Sequence, residues 1–197
     1  MSVAQWVLLV LVLVIGFWAV GAYNRLVRLR NGIANAFAQI DVQLKRRHDL
    51  VPNLVEVARK YLAHEAQTLE AVIAARNQAR TAEQAASGAP LAAGVMGTLS
   101  GAEQLLGGAI GRLMAVAEDY PELKADATMR ELSEELASTE NRIGFARQAY
   151  NDHTLAYNDA VQEFPALIVA RLFGFTPQAM LESTTSDAER QPVRVQF

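Results

Sequence analysis

Val3 to Ala22 reads VAQWVLLVLVLVIGFWAVGA, and Tyr23 to Leu44 continues YNRLVRLRNGIANAFAQIDVQL. The first stretch holds one polar side chain, Gln5, and no charge occurs between Met1 and Asn24. Twenty apolar residues in a helix rise about 30 Å, the thickness of a bilayer core. Trp6 stands near one end of the stretch, and Trp18 and Tyr23 near the other, where amphipathic rings favour the headgroup boundary. In the second stretch Leu26, Leu29, Ile33, Phe37, Ile40 and Leu44 recur at helical steps, which makes one apolar stripe. The pair predicts a membrane helix that runs on, to about Arg47, into a packed domain. A cleaved signal peptide is the competing reading, because Ala19 and Gly21 form a small-x-small pattern. No Lys or Arg precedes the run, and the run is long for a signal core, so an uncleaved anchor is preferred.

Charge adds an orientation. Arg25, Arg28 and Arg30 directly follow the apolar run. Positive flanks stay cytoplasmic, which predicts a short N-terminus outside the cell membrane and a cytoplasmic body. The whole chain of 197 residues has a net charge of -3, with 18 Lys+Arg against 21 Asp+Glu. A basic root below an acidic body suits contact with anionic lipid. Bulk-charge binding of nucleic acid is not expected. Hydrophobic residues make up 51% of the chain, which excludes a disordered protein. There is no Cys, so disulfides, Cys-ligated metals and a cysteine nucleophile are excluded.

Beyond the anchor the chain reads as all-α: period-2 alternation is absent, and Ala, Leu, Glu, Gln and Arg dominate. Asp49 and Pro52 together predict a turn at His48–Asp49, in preference to one long helix kinked at Pro52, because a bundle needs reversals. The next stripe, Leu50, Leu54, Val57, Tyr61, Leu69 and Val72, predicts a helix lasting to about Ala86. Ser87–Gly111 carries seven of the twelve glycines and a single charge, Glu103. It reads as a loop, then a loosely specified third helix from about Leu99 to Glu118. Asp119 and Glu122 have capping-box spacing, so a fourth helix is expected from there to about Phe164. The expected architecture is an N-terminal transmembrane helix (1–23) followed by an elongated antiparallel four-helix bundle (24–164). A short amphipathic segment (165–175) then packs on the bundle or dips into lipid, and 176–197 forms a flexible tail.

Candidate chemistry lies on the fourth helix. Glu140, Arg147, Asn151, Thr154 and Asn158 share one line beside the apolar face through Tyr150 and Tyr157. A partly buried polar line needs partners, which Arg47, Asn53, His64 and Glu65 are placed to supply. A network that sets helix register is preferred to a catalytic seam around Arg147 and Asn151. His64-Glu65 is half of a zinc-protease motif, but Thr68 stands where the second His belongs. His48, His64 and His153 follow Lys45, Tyr61 and Tyr150 at the spacing where a di-iron bundle places Glu. No metal, other cofactor or small-molecule substrate is therefore expected. The expected function is a non-enzymatic scaffold, adaptor or self-assembling membrane element, partnered by lipid and by its own copies or other membrane proteins. An enzyme using the polar seam, or a membrane-remodelling protein, is the alternative.

Several separated segments stand in an order that resembles the LemA family of bacterial membrane proteins, across about residues 6–175. They are RRHDLVPNLVEVARKYLAHE (Arg46 to Glu65), AEDYPELKA (Ala117 to Ala125) and ENRIGFARQAYNDHTLAYN (Glu140 to Asn158). YNRLVRLRN (Tyr23 to Asn31) and FPALIVARLFGF (Phe164 to Phe175) fit as well. The resemblance implies one membrane helix before a soluble four-helix bundle, with no established enzymatic activity. Its motif residues fall here on Arg47, Asp49, Pro52, Asn53, His64, Glu65, Glu118, Tyr120, Pro121, Glu140, Arg147, Tyr150, Asn151 and Asn158. Met180-Leu181 stands where the family commonly shows a Tyr-Phe pair, and Ser87–Gly111 is richer in glycine than is usual there.

Overall fold

The computed structural model describes residues 2–92 and 94–181. They form six helices: α1 (Val3–Arg59), α2 (Ala66–Gly88), α3 (Val95–Ala117), α4 (Pro121–Ala125), α5 (Ala127–Gln162) and α6 (Ala166–Leu172). Among the described residues there is no strand, so the all-α reading holds.

At 57 residues α1 is about 85 Å long, and its two halves have different surroundings. From Val3 to Trp18 every side chain is exposed. From Leu26 onward the stripe expected from the sequence is buried, with Ile33, Phe37, Ile40 and Leu44 all inside. α5 runs antiparallel beside this half: Arg25 lies 3.6 Å from Glu163, Phe37 stacks edge-on against Tyr150, and Arg46 pairs with Glu135. α2 also returns antiparallel to α1, through Arg76 on the His48 carbonyl and Lys45 on Glu83. α3 lies against both long helices, through Glu103 on Arg47 and Met114 beside Ser133.

The apolar interior falls into two clusters. One gathers Leu26 to Leu44 of α1 with Ile143 to Val161 of α5. The other gathers Leu50 to Leu62 with α2, the second half of α3, and Leu123. Between them α1 contributes Arg47 and His48, both buried.

Three expected boundaries are corrected. The turn at His48–Asp49 does not form, and α1 passes straight through Pro52. A proline has no N–H for the carbonyl four residues back, which here is that of His48. Arg76 of α2 donates its Nε–H to that oxygen at 3.0 Å, so the helix continues with no carbonyl left unbonded at this point. The reversal comes instead at residues 60–65, with Leu62 buried, so the expected helix to Ala86 is divided into the end of α1 and α2. No Gly or Pro marks this turn, and the eight-residue step from Tyr61 to Leu69 also fits an unbroken helical face. The Asp119–Glu122 capping box is absent: Pro121 opens only the five-residue α4. Asp126 starts the long helix, with its carboxylate accepting from the Met129 N–H at 3.0 Å.

The end of the chain is corrected as well. Residues 176–181, expected to be a flexible tail, lie extended along α5, with Leu181 buried. The rest of that expected tail, 182–197, lies outside the described residues.

Candidate functional site

The polar layer between the two apolar clusters is built from three helices. Arg47 Nη1 of α1 donates to Glu103 Oε2 of α3 at 3.2 Å, and lies 2.9 Å from Glu140 Oε2 of α5. His48 Nε2 meets the other Glu103 oxygen at 2.7 Å. A carboxylate only accepts, so that nitrogen donates; His48 Nδ1 is then buried without a partner. Arg147 Nη2 reaches Glu140 Oε1 at 3.4 Å. Two guanidiniums thus face two carboxylates, and their charges balance. Gly107 of α3 passes directly over Arg47: a Cβ there would sit 3.4 Å from Nη2. The layer borders a cleft of about 100 Å³, walled also by Leu99, Ile143 and Leu181. That is smaller than the roughly 300–1,000 Å³ of a typical small-molecule site.

A second cluster joins α1 to α2. Ser87 Oγ bonds to Asp41 and, at 3.0 Å, to Glu83 Oε1. Lys45 Nζ lies 2.5 Å from Asp41 and 3.6 Å from Glu83. Glu83 is 2% exposed, and burial, then its hydrogen bond to Asp41, pushes its carboxyl above the ordinary range. Asp41 moves the other way. Burial opposes its ionisation, but bonds from Glu83, Lys45 and Ser87 outweigh that and hold it low. Glu83 is thus the member of the pair that keeps a proton to higher pH. An open hollow of about 440 Å³ lies over Lys45, Arg80, Glu83 and Ser87.

The third arrangement is on the outer turns of α5. Asn151 donates Nδ2–H to the Leu181 carbonyl at 2.8 Å and accepts the Leu181 N–H at 2.9 Å. Asn158 does the same to Gln178, at 2.9 and 2.7 Å. The Tyr150 hydroxyl donates to the Ala179 carbonyl at 3.3 Å. Thr154, between the two asparagines, is buried and donates to the Tyr150 carbonyl of its own helix.

The residues singled out from the sequence are thus split among several places. Arg47, Glu140 and Arg147 meet in the polar layer, and Tyr150, Asn151 and Asn158 hold the C-terminal segment. Pro52 governs the bond from Arg76, while Asp49 is exposed with Arg76 Nη2 at 4.0 Å. Asn53 and His64 are exposed and Glu65 is half-buried; none bonds to the α5 line among the described residues. Glu65 precedes α2 without a side-chain cap. Glu118 and Pro121 are exposed and Tyr120 is half-buried, around the α3–α4 junction. Trp6, Trp18, Arg25, Arg28 and Arg30 are exposed along α1, and Tyr23 packs edge-on against Phe173 and Phe175. Sequence reasoning missed Glu103, His48, Arg76 and the Asp41–Glu83 pair. Glu103 had a signal: it is the lone charge in the glycine-rich stretch. Among the described residues, no three His, Asp or Glu side chains are grouped to hold a metal ion.

These features define a class: a helical protein whose first helix is half exposed and apolar, half packed around an ion-pair layer, with a terminal segment held by side-chain amides. The chain belongs to the LemA family, whose model matches residues 36–197. It is similar to magnetosome protein MamQ 2 of Paramagnetospirillum magneticum (strain ATCC 700264 / AMB-1), 27% identical over 172 residues. It is likewise similar to magnetosome protein MamQ of Magnetospirillum gryphiswaldense (strain DSM 6361 / JCM 21280 / NBRC 15271 / MSR-1), 27% identical over 168 residues. Each match covers 78% of this chain and 62% of the relative, so the chain spans less than two thirds of the relatives' length.

Proposed function

We propose that the chain is a single-pass, membrane-anchored helical scaffold of the LemA type. It sits in the cell membrane with its short N-terminus outside and its helical body on the cytoplasmic side. It does no chemistry of its own and assembles with lipid, with further copies, or with other membrane proteins. One observation carries the reading. α1 holds an 18-residue window of mean hydropathy 2.5 with none of it buried, on the same unbroken helix whose second half is packed. Water does not favour such a bare apolar rod, while a bilayer does.

Two further features support it. Arg25, Arg28 and Arg30 are exposed where the apolar run ends. α6 lies at the same end, with Ala166, Val169 and Ala170 packed inward, Ile168 and Leu172 exposed one turn apart, and Phe164 exposed just before the helix. These exposed apolar side chains suit the headgroup boundary. The relatives' names give a location and no reaction, which is in keeping with a non-enzymatic role.

The test is fractionation after an alkaline wash, with mass measurement of the N-terminus. The intact chain should stay with membranes, and a chain lacking residues 2–22 should leave them. Protease should cut the body only from the cytoplasmic side. A clipped leader with the body outside would overturn the anchor. Strictly monomeric, unpartnered chains after crosslinking in cells would overturn the scaffold.

A further inference from the structure

The contacts between α5 and residues 176–181 have an unusual character. Asn151 and Asn158 each make two hydrogen bonds, and all four go to main-chain N–H and C=O groups. The Tyr150 hydroxyl also donates to a main-chain carbonyl. The spacing fits an extended segment that repeats every three residues, as polyproline II does. Seven residues of helix rise about 10.5 Å, and three such residues from Gln178 to Leu181 span about 9 Å. One side chain of the segment is read: Leu181, 5% exposed, closes the end of the cleft beside Leu44, Leu99 and Ile143. Recognition through main-chain groups plus one apolar pocket is how extended peptides are bound, and it does not depend on a particular sequence.

We propose that the α5 face from Tyr150 to Asn158 is a binding site for an extended peptide main chain, filled here by the chain's own Thr176–Leu181 and exchanged between copies. The exchange rests on the self-assembly reading above and names its contact. A second copy presents the identical segment, so a swap keeps every bond and both grooves stay filled, in a closed two-fold pair. A hinge for it is present: Gly174, between α6 and the segment, has φ +72, in the left-handed region. The height of the groove favours it too. His153, midway along the site, packs against Gly32 of α1, a few turns beyond the apolar run. Copies anchored side by side therefore carry their grooves at one level.

The experiment uses two full-length variants with different tags, co-expressed and extracted in mild detergent. N151D/N158D keeps the shape of the groove but removes its N–H donors. Q178P/L181P keeps the groove and removes the two N–H groups that the segment donates. Each variant lacks one half of the clamp, and together they can build one clamp between copies. A short tether holds the wild-type segment at about millimolar effective concentration, so removing that competitor should raise mixed pairs at least about tenfold over either variant with itself. Equal recovery would overturn the proposal.

A second measurement stands apart from pairing. A labelled peptide of residues 175–181, FTPQAML, is titrated into each variant, with helical circular dichroism verifying that both are folded. Saturable binding to Q178P/L181P, at least about tenfold tighter than to N151D/N158D, is expected, since the lost bonds are the ones that would hold it. No saturable binding would overturn the site, and peptide capture without mixed pairs would overturn the second copy as occupant. Wild-type assemblies that persist while mixed pairs never form would sink this inference and leave the scaffold reading. Mixed pairs beside a strictly monomeric wild type would keep the site and sink the scaffold.

Discussion

Replacing Arg76 by Met should destabilise the packed body through a single atom, the carbonyl oxygen of His48. The Arg76 side chain is 15% exposed and donates Nε–H to that oxygen at 3.0 Å. A hydrogen bond from a charged donor contributes about 1.5–3 kcal/mol, and the small exposure leaves little of it to solvent. Its other partners, the exposed Asn77 Oδ1 at 3.3 Å and Asp49, 81% exposed at 4.0 Å, add little. For a body of this size each kcal/mol moves the melting midpoint by about 2–4 °C, so a fall of about 3–12 °C is expected. The mechanism is isolated by Pro52→Ala. The introduced alanine supplies the N–H that Pro52 lacks, and the His48 carbonyl regains a partner within α1. In that background Arg76→Met should cost about 1 kcal/mol or less, because the oxygen is no longer stranded. The assay is a double-mutant cycle on the four chains in mild detergent, followed by helical circular dichroism during heating. Equal costs in both backgrounds, within about 0.5 kcal/mol, would refute the reasoning.

Arg47→Leu leaves Glu103 and its charge buried, and should cost about 3–5 kcal/mol. Arg147→Leu loses one 3.4 Å contact to the half-exposed Glu140 and should cost about 0–1 kcal/mol; denaturant unfolding of the two variants checks the order, and the reverse order would count against the polar layer. Glu83 titrates above its ordinary value of 4.5, so the folded chain holds a proton that the unfolded chain gives up. Stability should then fall as pH rises from about 4.5 through the raised value, and Glu83→Gln should flatten that slope in melts at stepped pH. Asp41, held low, has the opposite sign, and its contribution is lost only as pH falls through its lowered value. Asp126→Ala removes the acceptor for the Met129 N–H and the Tyr61 hydroxyl. Amide exchange should quicken in the first turn of α5 and stay slow from Ile143 to Val161; uniform quickening would argue against a local cap.

What could be read from the sequence follows its periodicity. The bare apolar run, the stripe from Leu26 to Leu44 and the face through Tyr150 and Tyr157 depend on residue order alone, and each is where the order puts it. Pro165 and the amphipathic piece after it were legible too: Pro165 has no N–H to carry a helix onward, and α5 ends before it, at Gln162. The polar line on α5 was visible as a line. Its division was not, because Glu140 meets Arg47 of α1 and Arg147 meets Glu140, while Asn151 and Asn158 face a main chain.

Two errors share one cause. Pro52 reads as a break because local rules see a missing donor, and the donor that replaces it, Arg76, is 24 residues away on another helix. Residues 176–181 read as tail because their composition offers nothing to pack except Leu181, and their bonds use backbone atoms that every residue has. Composition and spacing alone decided that this is a helical chain with one bare apolar end. Tertiary structure alone decided where the chain turns back, which charges neutralise one another and what the asparagines hold, since a hydrogen bond depends on where its partner lies in space and not on how far along the chain it comes.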